Sequence, residues 1–538
     1  MTERIEKLAE LAETLPKAVR KGASGFYEAV LSVYFFYAFL PDSIGLIDRY
    51  LYPYYKKDVE SGKITENDAK DFLQELFIMI QSTSHPETPQ FTRGGECHFA
   101  VGGYTPEGED GFNELSRLII EALLDTPVYC PQVSFRRTEK TPFETLKFMM
   151  DRERTDKNKR IDFINDEPRI RALIKSGIDF EKAVDYTATG CNETILNGGT
   201  YFGGMKSNIV SAITGVMYAR SDEAAGCRTF DEFYSLFEDE LASVLEKIQA
   251  YSDKFNGKKA KDLDVVSSIF LDGCIENAAS VTQGGCTAST NALQLIGSTN
   301  VIDSLSVIKQ FVYDEKIISP AELIGALKND WQGYEKLRTR ILNTGRFFGN
   351  NDPLSDGIAK RFFDSVARCL DGKKDLFGFP VFGCRGAQIG YHPHHTLFGD
   401  LTEATPDGRQ KGEMFTYGMN QINGKDREGL TALLSSLAQA DESDISFGPS
   451  VTNVLVDEKM MFDDAQFEKT ARLFETYFKL GGLHLQLNYV AKEDLIKAKA
   501  NPAEYGNLRV RVSGFSEYFI NLLPELQDEI IARTVVSR

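Results

Sequence analysis

Residues 97–137 read CHFAVGGYTPEGEDGFNELSRLIIEALLDTPVYCPQVSFRR. Two short β-like runs, CHFAVGGYT and VYCPQVSFRR, enclose the helical segment FNELSRLIIEALL. Strand, helix and strand in repeating order predict an α/β protein with a largely parallel sheet or barrel. Upstream, the first 85 residues read as helices. In TENDAKDFLQELFIMI, Thr65 and Asp68 stand at capping-box spacing, and Ala69, Phe72, Leu73, Leu76 and Ile80 follow the helical period. No low-complexity linker, fixed-period repeat or Pro/Gly/Ser-rich boundary divides the chain, so one compact unit is expected.

At 538 residues, 42% hydrophobic and 26% charged, the composition is that of a globular protein with a large core. The net charge of −18 would repel phosphate backbones, which argues against nucleic acid as a partner. The most apolar N-terminal stretch, AVLSVYFFYAFL at 29–40, falls short of the roughly 20 residues a membrane span needs. It lacks a signal peptide's basic start and small-residue cleavage site, so the cytoplasm is the expected compartment and no membrane partner is expected. Eight scattered cysteines (97, 130, 191, 227, 274, 286, 369 and 384) show neither C-x-x-C pairs nor zinc-like spacing, and are expected as reduced thiols. The phosphate-loop, zincin and nucleophile-elbow signatures are absent. YHPHH at 391–395 holds three of the six histidines without a carboxylate at ligand spacing until Asp400, so no metal site is expected there.

Two stretches stand out. In NLRVRVSGFSEYFINL (507–522), Gly514 interrupts a strand-like run. Glycine there ordinarily serves a turn, a positive φ or a close approach. A rarer use is chemical, because a glycine Cα radical is stabilised by both flanking amides and no Cβ prevents it from becoming planar. In DYTATGCNETILNGGTYFGG (185–204), Cys191 lies in a polar, glycine-rich loop with Glu193 two residues on. A lone cysteine is usually a small buried hydrophobe. On such a loop beside a carboxylate it also suits chemistry in which the thiol handles a hydrogen and the carboxylate a proton.

TGCNET and RVRVSGFSEYF, in that order, resemble the glycyl radical enzymes. IDRYLYPYYKKDVESGKIT (47–65), GGYTPEGEDGFNELSRLIIEALL (102–124), ATPDGRQKGEM (404–414) and GGLHLQLNYVAKEDLIKAKANPAEYGNLRVRVSGFSEYF (481–519) extend the resemblance over nearly the whole chain. The resemblance implies a ten-stranded α/β barrel made of two five-stranded parallel half-barrels, with helices outside and the Cys191 and Gly514 loops meeting at its centre. It implies a barrel domain over 1–400 and a glycyl radical domain over 401–538, packed into the same barrel. It also implies a post-translational radical on Gly514. A separate activase, using S-adenosylmethionine and an iron–sulfur cluster, would create it by removing hydrogen from the glycine, and the radical would then pass to Cys191.

Pyruvate formate-lyase resembles this chain but carries a second cysteine where Asn192 stands, which turns the resemblance away from acyl transfer. Cys-x-Glu is similar to the dehydratase and C–X lyase branch, in which a carboxylate at the position of Glu193 takes the hydroxyl proton of a small-molecule substrate radical. Arylacetate decarboxylases also carry a glutamate there, and a radical-free regulatory relative is a third reading. Asn192, His395 and His98 are candidate substrate-binding residues. Arg509 and Arg511 read as structural or charge-pairing before activase docking. Phe515 stands where tyrosine is usual. Branch members carry a long stretch ahead of SGFYEAVLSVYFFYAFL, so a homo-oligomer or a second subunit replacing it is expected.

Overall fold

The 97–137 stretch folds as strand, helix and strand: β1 (His98–Gly102), a helix Glu114–Asp125 and β2 (Gln132–Arg137). The helix starts at Asn113, whose side chain accepts from Ser116 N while Ser116 Oγ returns the bond to the Asn113 backbone. It buries Leu115, Ile119, Ile120 and Leu123 on one stripe. This computed structural model describes residues 14–533 apart from 15, 19, 40–42, 84–96, 191, 203–204, 385–393, 417–423, 426, 442–450, 513 and 515. The upstream helices form as expected, and the Thr65–Asp68 box closes with Asp68 N donating to Thr65 Oγ1 at 3.1 Å and Thr65 N to Asp68 Oδ2 at 2.8 Å.

The remaining strands are β3 (Ile161–Asn165), β4 (Tyr186–Thr189), β5 (Glu193–Leu196), β6 (Met205–Asn208), β7 (Asn291–Ile296), β8 (Val381–Cys384), β9 (Asn453–Leu455), β10 (His484–Asn488), β11 (Arg509–Arg511) and β12 (Ser516–Tyr518). A five-stranded sheet runs in the order β1-β2-β3-β10-β9. Its parallel groups, β1 to β3 and β9 with β10, meet at an antiparallel seam between β3 and β10. β6, β7 and β8 form a parallel three-stranded sheet. β4 pairs with β5, and β11 with β12, as two antiparallel hairpins. The architecture is the expected α/β arrangement, with parallel strand groups and helices packed outside them.

Both faces of the five-stranded sheet are buried, and they differ in chemistry. Phe99, Val101, Val133, Phe135, Ile161, Phe163, Leu485 and Leu487 point to one side and join the main hydrophobic core. Each such side chain contributes about 1.5–3 kcal/mol of burial. The alternate positions, His98, Gln132, Ser134, Arg136, Asp162, His484 and Gln486, are equally buried. Dry polar groups are costly unless they are hydrogen-bonded, so this face must find partners away from water. The register sets Ala100 beside Ser134 and Ser134 beside Asp162. Continued one pair beyond Leu485 and Phe163, the seam brings Gln486 opposite Asp162.

Candidate active site

Both hairpins sit on that polar face. In the first, Thr189 pairs with Glu193, leaving 190–192 as the connection. Gly190 and Asn192 both have positive φ, 53° and 77°. A Cβ on Gly190 would lie 2.8 Å from Glu193 Oε2, so the glycine lets the carboxylate fold back over the turn. Glu193 is buried, and its Oε1 accepts from Gln294 Nε2 of β7 at 3.5 Å. Cys191 lies outside the described residues.

Both ends of the Asn192 amide bond to the protein. Its Oδ1 accepts from Arg169 Nη2, and its Nδ2 donates to Asp162 Oδ2 at 3.3 Å. Arg169 Nη1 reaches Thr194 Oγ1 at 3.1 Å, so one guanidinium holds the residues on both sides of Glu193. Beside it Arg136 grips Asp166 through Nε at 2.9 Å and Nη2 at 2.8 Å. Arg136 Nη1 donates to Tyr186 O at 2.8 Å, while Tyr186 donates its hydroxyl to Asp166 Oδ1 at 2.6 Å. Paired charges of this kind are tolerable in a dry interior only because each is hydrogen-bonded to its counterpart.

In the second hairpin, Arg511 pairs with Ser516 across the turn that carries Gly514. Gly514 is buried with φ 81°, a conformation that side-chain-bearing residues rarely adopt. Its N–H donates to Gln486 Oε1 at 3.1 Å. Arg511, fully buried, donates from Nη1 to Gln132 Oε1 at 2.8 Å and from Nη2 to Ile161 O. Arg509 donates to Ser516 O at 2.8 Å, so both arginines play the structural part expected of them. Ser513 and Phe515 lie outside the described residues.

Gly514 and Asn192 are therefore tied to facing residues, Gln486 and Asp162. Burial pushes the Asp162 carboxyl up, but the neighbouring His484 ring and the Arg511 charge outweigh it and hold the group below the usual carboxylate range. His484 Nδ1 accepts from Thr452 N at 3.2 Å, which leaves the proton on Nε2, 3.8 Å from Asp162 Oδ2. Burial drives His98 down to about 4, so its ring is neutral at physiological pH.

Of the residues expected from the sequence, the structure brings Asn192, Glu193, Gly514 and His98 to this face. The side chain of His395 lies outside the described residues. Asp162, Gln486, Arg169 and Gln294 were not singled out. Their signal was the alternation IDFIN and HLQLN, which equally suits a strand with one wet face. Among the described residues no cluster of His, Cys, Asp and Glu is spaced to hold a metal ion, and no helix is long and apolar enough to cross a membrane.

Residues 1–381 match the family described as Pyruvate formate lyase-like, and residues 415–520 match the Glycine radical family. The isethionate sulfite-lyase of Desulfovibrio desulfuricans is 29% identical over 98% of this chain and 66% of its own length. The trans-4-hydroxy-L-proline dehydratase of Clostridioides difficile is 27% identical over 92% of this chain and 64% of its own. The chain thus spans about two thirds of the length of these relatives. Among solved structures, the glycerol-bound B12-independent glycerol dehydratase of Clostridium butyricum superposes with a TM-score of 0.89 at 27% identity, over 99% of this chain and 70% of that one.

Proposed function

The chain belongs to the pyruvate formate lyase-like family and carries a glycine radical domain, and from that premise we propose that it is a radical lyase eliminating a group next to a substrate hydroxyl. The observation that carries this reading is the attachment of the Gly514 and Asn192–Glu193 turns to facing residues of one dry sheet face. In this reading a separate activase, with S-adenosylmethionine and an iron–sulfur cluster, removes a Cα hydrogen atom from Gly514. The Gly514 radical takes the Sγ hydrogen of Cys191, and the thiyl takes the hydrogen from the hydroxylated substrate carbon. Glu193 accepts the hydroxyl proton, which drives out the neighbouring group, and the product radical recovers a hydrogen atom from Cys191. A water-free interior suits the radical, which solvent and oxygen would otherwise quench. Asn192 supports elimination over acyl transfer, because it offers no second thiol.

A homo-oligomer is part of the proposal. Phe36, Phe39, Val266 and Phe270 leave an apolar surface beside the Phe36–Phe270 contact, and light scattering on the purified chain tests it.

Anaerobic activation tests the chemistry. The expected result is a doublet electron paramagnetic resonance signal from Gly514, followed on exposure to air by cleavage that releases the piece from residue 514 to 538. Product analysis should show a carbonyl compound and the eliminated group. An activated sample that stays silent and full-length, or one that releases carbon dioxide from an arylacetate, overturns the reading.

A further inference from the structure

The helix Asp166–Lys175 carries two buried charges, Asp166 and Arg169, one turn apart on one face. Asp166 ties the start of the helix to the sheet. Arg136 of β2 holds its carboxylate with two bonds, and the same guanidinium donates to the carbonyls of Val184 at 3.0 Å and Tyr186 at 2.8 Å. Arg169 reaches from this anchored helix into the first hairpin, and it is fully buried. Its Nη2 donates to Asn192 Oδ1 and its Nη1 to Thr194 Oγ1 at 3.1 Å, while Nε has no hydrogen-bond partner among the described residues. Asn192 and Thr194 thus both turn toward Arg169, and Glu193 between them turns to Gln294 of β7. That last bond, at 3.5 Å, is long and fixes the carboxylate loosely. The backbone is held once more where Thr290 Oγ1 donates to Thr194 O at 2.6 Å.

We propose that Arg169 is the positioning residue for Glu193, fixing the chain on either side of it so that the carboxylate is aimed at the substrate hydroxyl. This rests on the lyase reading, in which Glu193 accepts that proton. Proton transfer needs the two heavy atoms within about 2.6 to 3.2 Å of each other, and a displacement of about 1 Å can cost about a hundredfold in rate. The left-handed conformation of Asn192, φ 77°, is sparsely populated and persists only where its surroundings enforce it. A guanidinium suits the task, because its planar fork holds two donors at a fixed separation and spans the side chains of residues 192 and 194. The helix supplies the rigidity, since Asp166 anchors it to β2 one turn before Arg169. Arg169 therefore acts on the rate through Glu193, without touching the substrate.

A double-mutant cycle tests this. Arg169→Met keeps the stem of the side chain and removes both arms, and it should lower kcat about tenfold to a hundredfold, with radical yield and KM changed by less than about twofold. In a Glu193→Gln background the same substitution should lower kcat by less than about twofold further, because no proton acceptor is left to aim. An equal fall in both backgrounds would make Arg169 a general structural support, and a raised KM with unchanged kcat would make it a binding residue; either overturns the inference. Hydrogen exchange on the unactivated protein gives a readout free of turnover. Arg169→Met should speed amide exchange across 186–196 and leave β1 and β2 as they were, and unchanged exchange across 186–196 also overturns the inference. If Arg169→Met does not fold, Thr194→Val deletes the partner of one arm and keeps its shape. It should lower kcat about threefold to tenfold, again only where Glu193 is present, and a wild-type kcat in that variant overturns the inference. A protein whose exchange responds as expected but which never forms a radical would sink the lyase reading alone.

Discussion

The two buried turns that reach the sheet's polar face are held in different ways. The 190–192 turn is built into the sheet. Arg136, Asp166, Arg169 and Asp162, all charged and all buried, grip it and its strands from β2, β3 and the helix Asp166–Lys175. The Gly514 turn rests on neutral acceptors: Gln486, Gln132 and the carbonyl of Ile161. Behind it lies a separate apolar cluster of Leu495, Val510, Val512, Phe519, Leu526 and Ile530, distinct from the main core. One turn is welded by charge pairs whose loss would strand an ion in the dry interior. The other belongs to a small module docked through the Gly514 amide and the buried Arg511 guanidinium, whose hydrogen-bond partners are all neutral.

Chemistry provides the sharpest separation of the two turns. Cys191→Ser should abolish turnover while the Gly514 radical signal survives, because an alcohol O–H is too strong for a glycyl radical to break. Activity in that variant would move the relay to another thiol, of which buried Cys286, its pKa raised by burial to about 11, is one. Glu193→Gln keeps the bond from Gln294 within reach but cannot accept a proton. We expect a fall in kcat of about 10²- to 10⁴-fold with the radical yield unchanged. An unimpaired Glu193→Gln enzyme would remove the carboxylate from the mechanism.

Stability tests the contrast between welding and docking. Asp166→Asn leaves the Arg136 charge buried without its counterion, and about 3–5 kcal/mol of global stability should be lost in urea unfolding. Gln486→Leu leaves only the Gly514 N–H unpaired, a cost of about 1–3 kcal/mol. That cost should appear locally, as faster proteolysis within 492–533 with little change in the main unfolding transition. If Gln486→Leu lowers the main transition as far as Asp166→Asn does, the docked module is the wrong description.

Much of this arrangement could be read before folding was considered. CHFAVGGYT and VYCPQVSFRR announced their strands, and Cys191, Glu193 and Gly514 drew attention because each is an odd choice for its neighbourhood. The partners that hold them were not legible, for a physical reason. A strand such as HLQLN has the same alternation whether its polar residues meet solvent or a closed interior, and only the pairing of β10 against β3 decides which. Asn192 shows the same limit. Its position beside Cys191 suggested a substrate contact, and nothing local foretold its left-handed φ or its bonds to Arg169 and Asp162. The Asp162–Gln486 pairing spans more than three hundred residues of chain and leaves no local trace.

The smallest expected effect concerns the floor beneath the docked turn. Ser516, two residues past Gly514, donates its hydroxyl to Lys159 O. Lys159 Nζ lies 3.2 Å from the Tyr489 ring centroid, and Tyr489 donates its hydroxyl to the backbone carbonyl of Glu153 at 3.0 Å. The Glu153 carboxylate is fully buried, and among the described residues neither oxygen has a hydrogen-bond partner. Burial pushes its pKa up to about 7, against the pull of Lys159 and Arg511 and with a further push from Asp156. The folded protein thus holds this proton to higher pH than the unfolded chain, whose glutamate releases it near 4.3. Between those values the folded state binds more protons, so the Glu153 contribution to stability is complete below about 4.3 and is lost as pH rises toward 7. Lys159 is pushed down to about 8, and its own effect falls at higher pH. Glu153→Gln imitates the protonated form and should flatten the decline in stability between pH 5.5 and 7 by on the order of 1 kcal/mol. If melting curves of the two proteins fall in parallel across that range, Glu153 does not couple proton binding to the seat of the glycine turn.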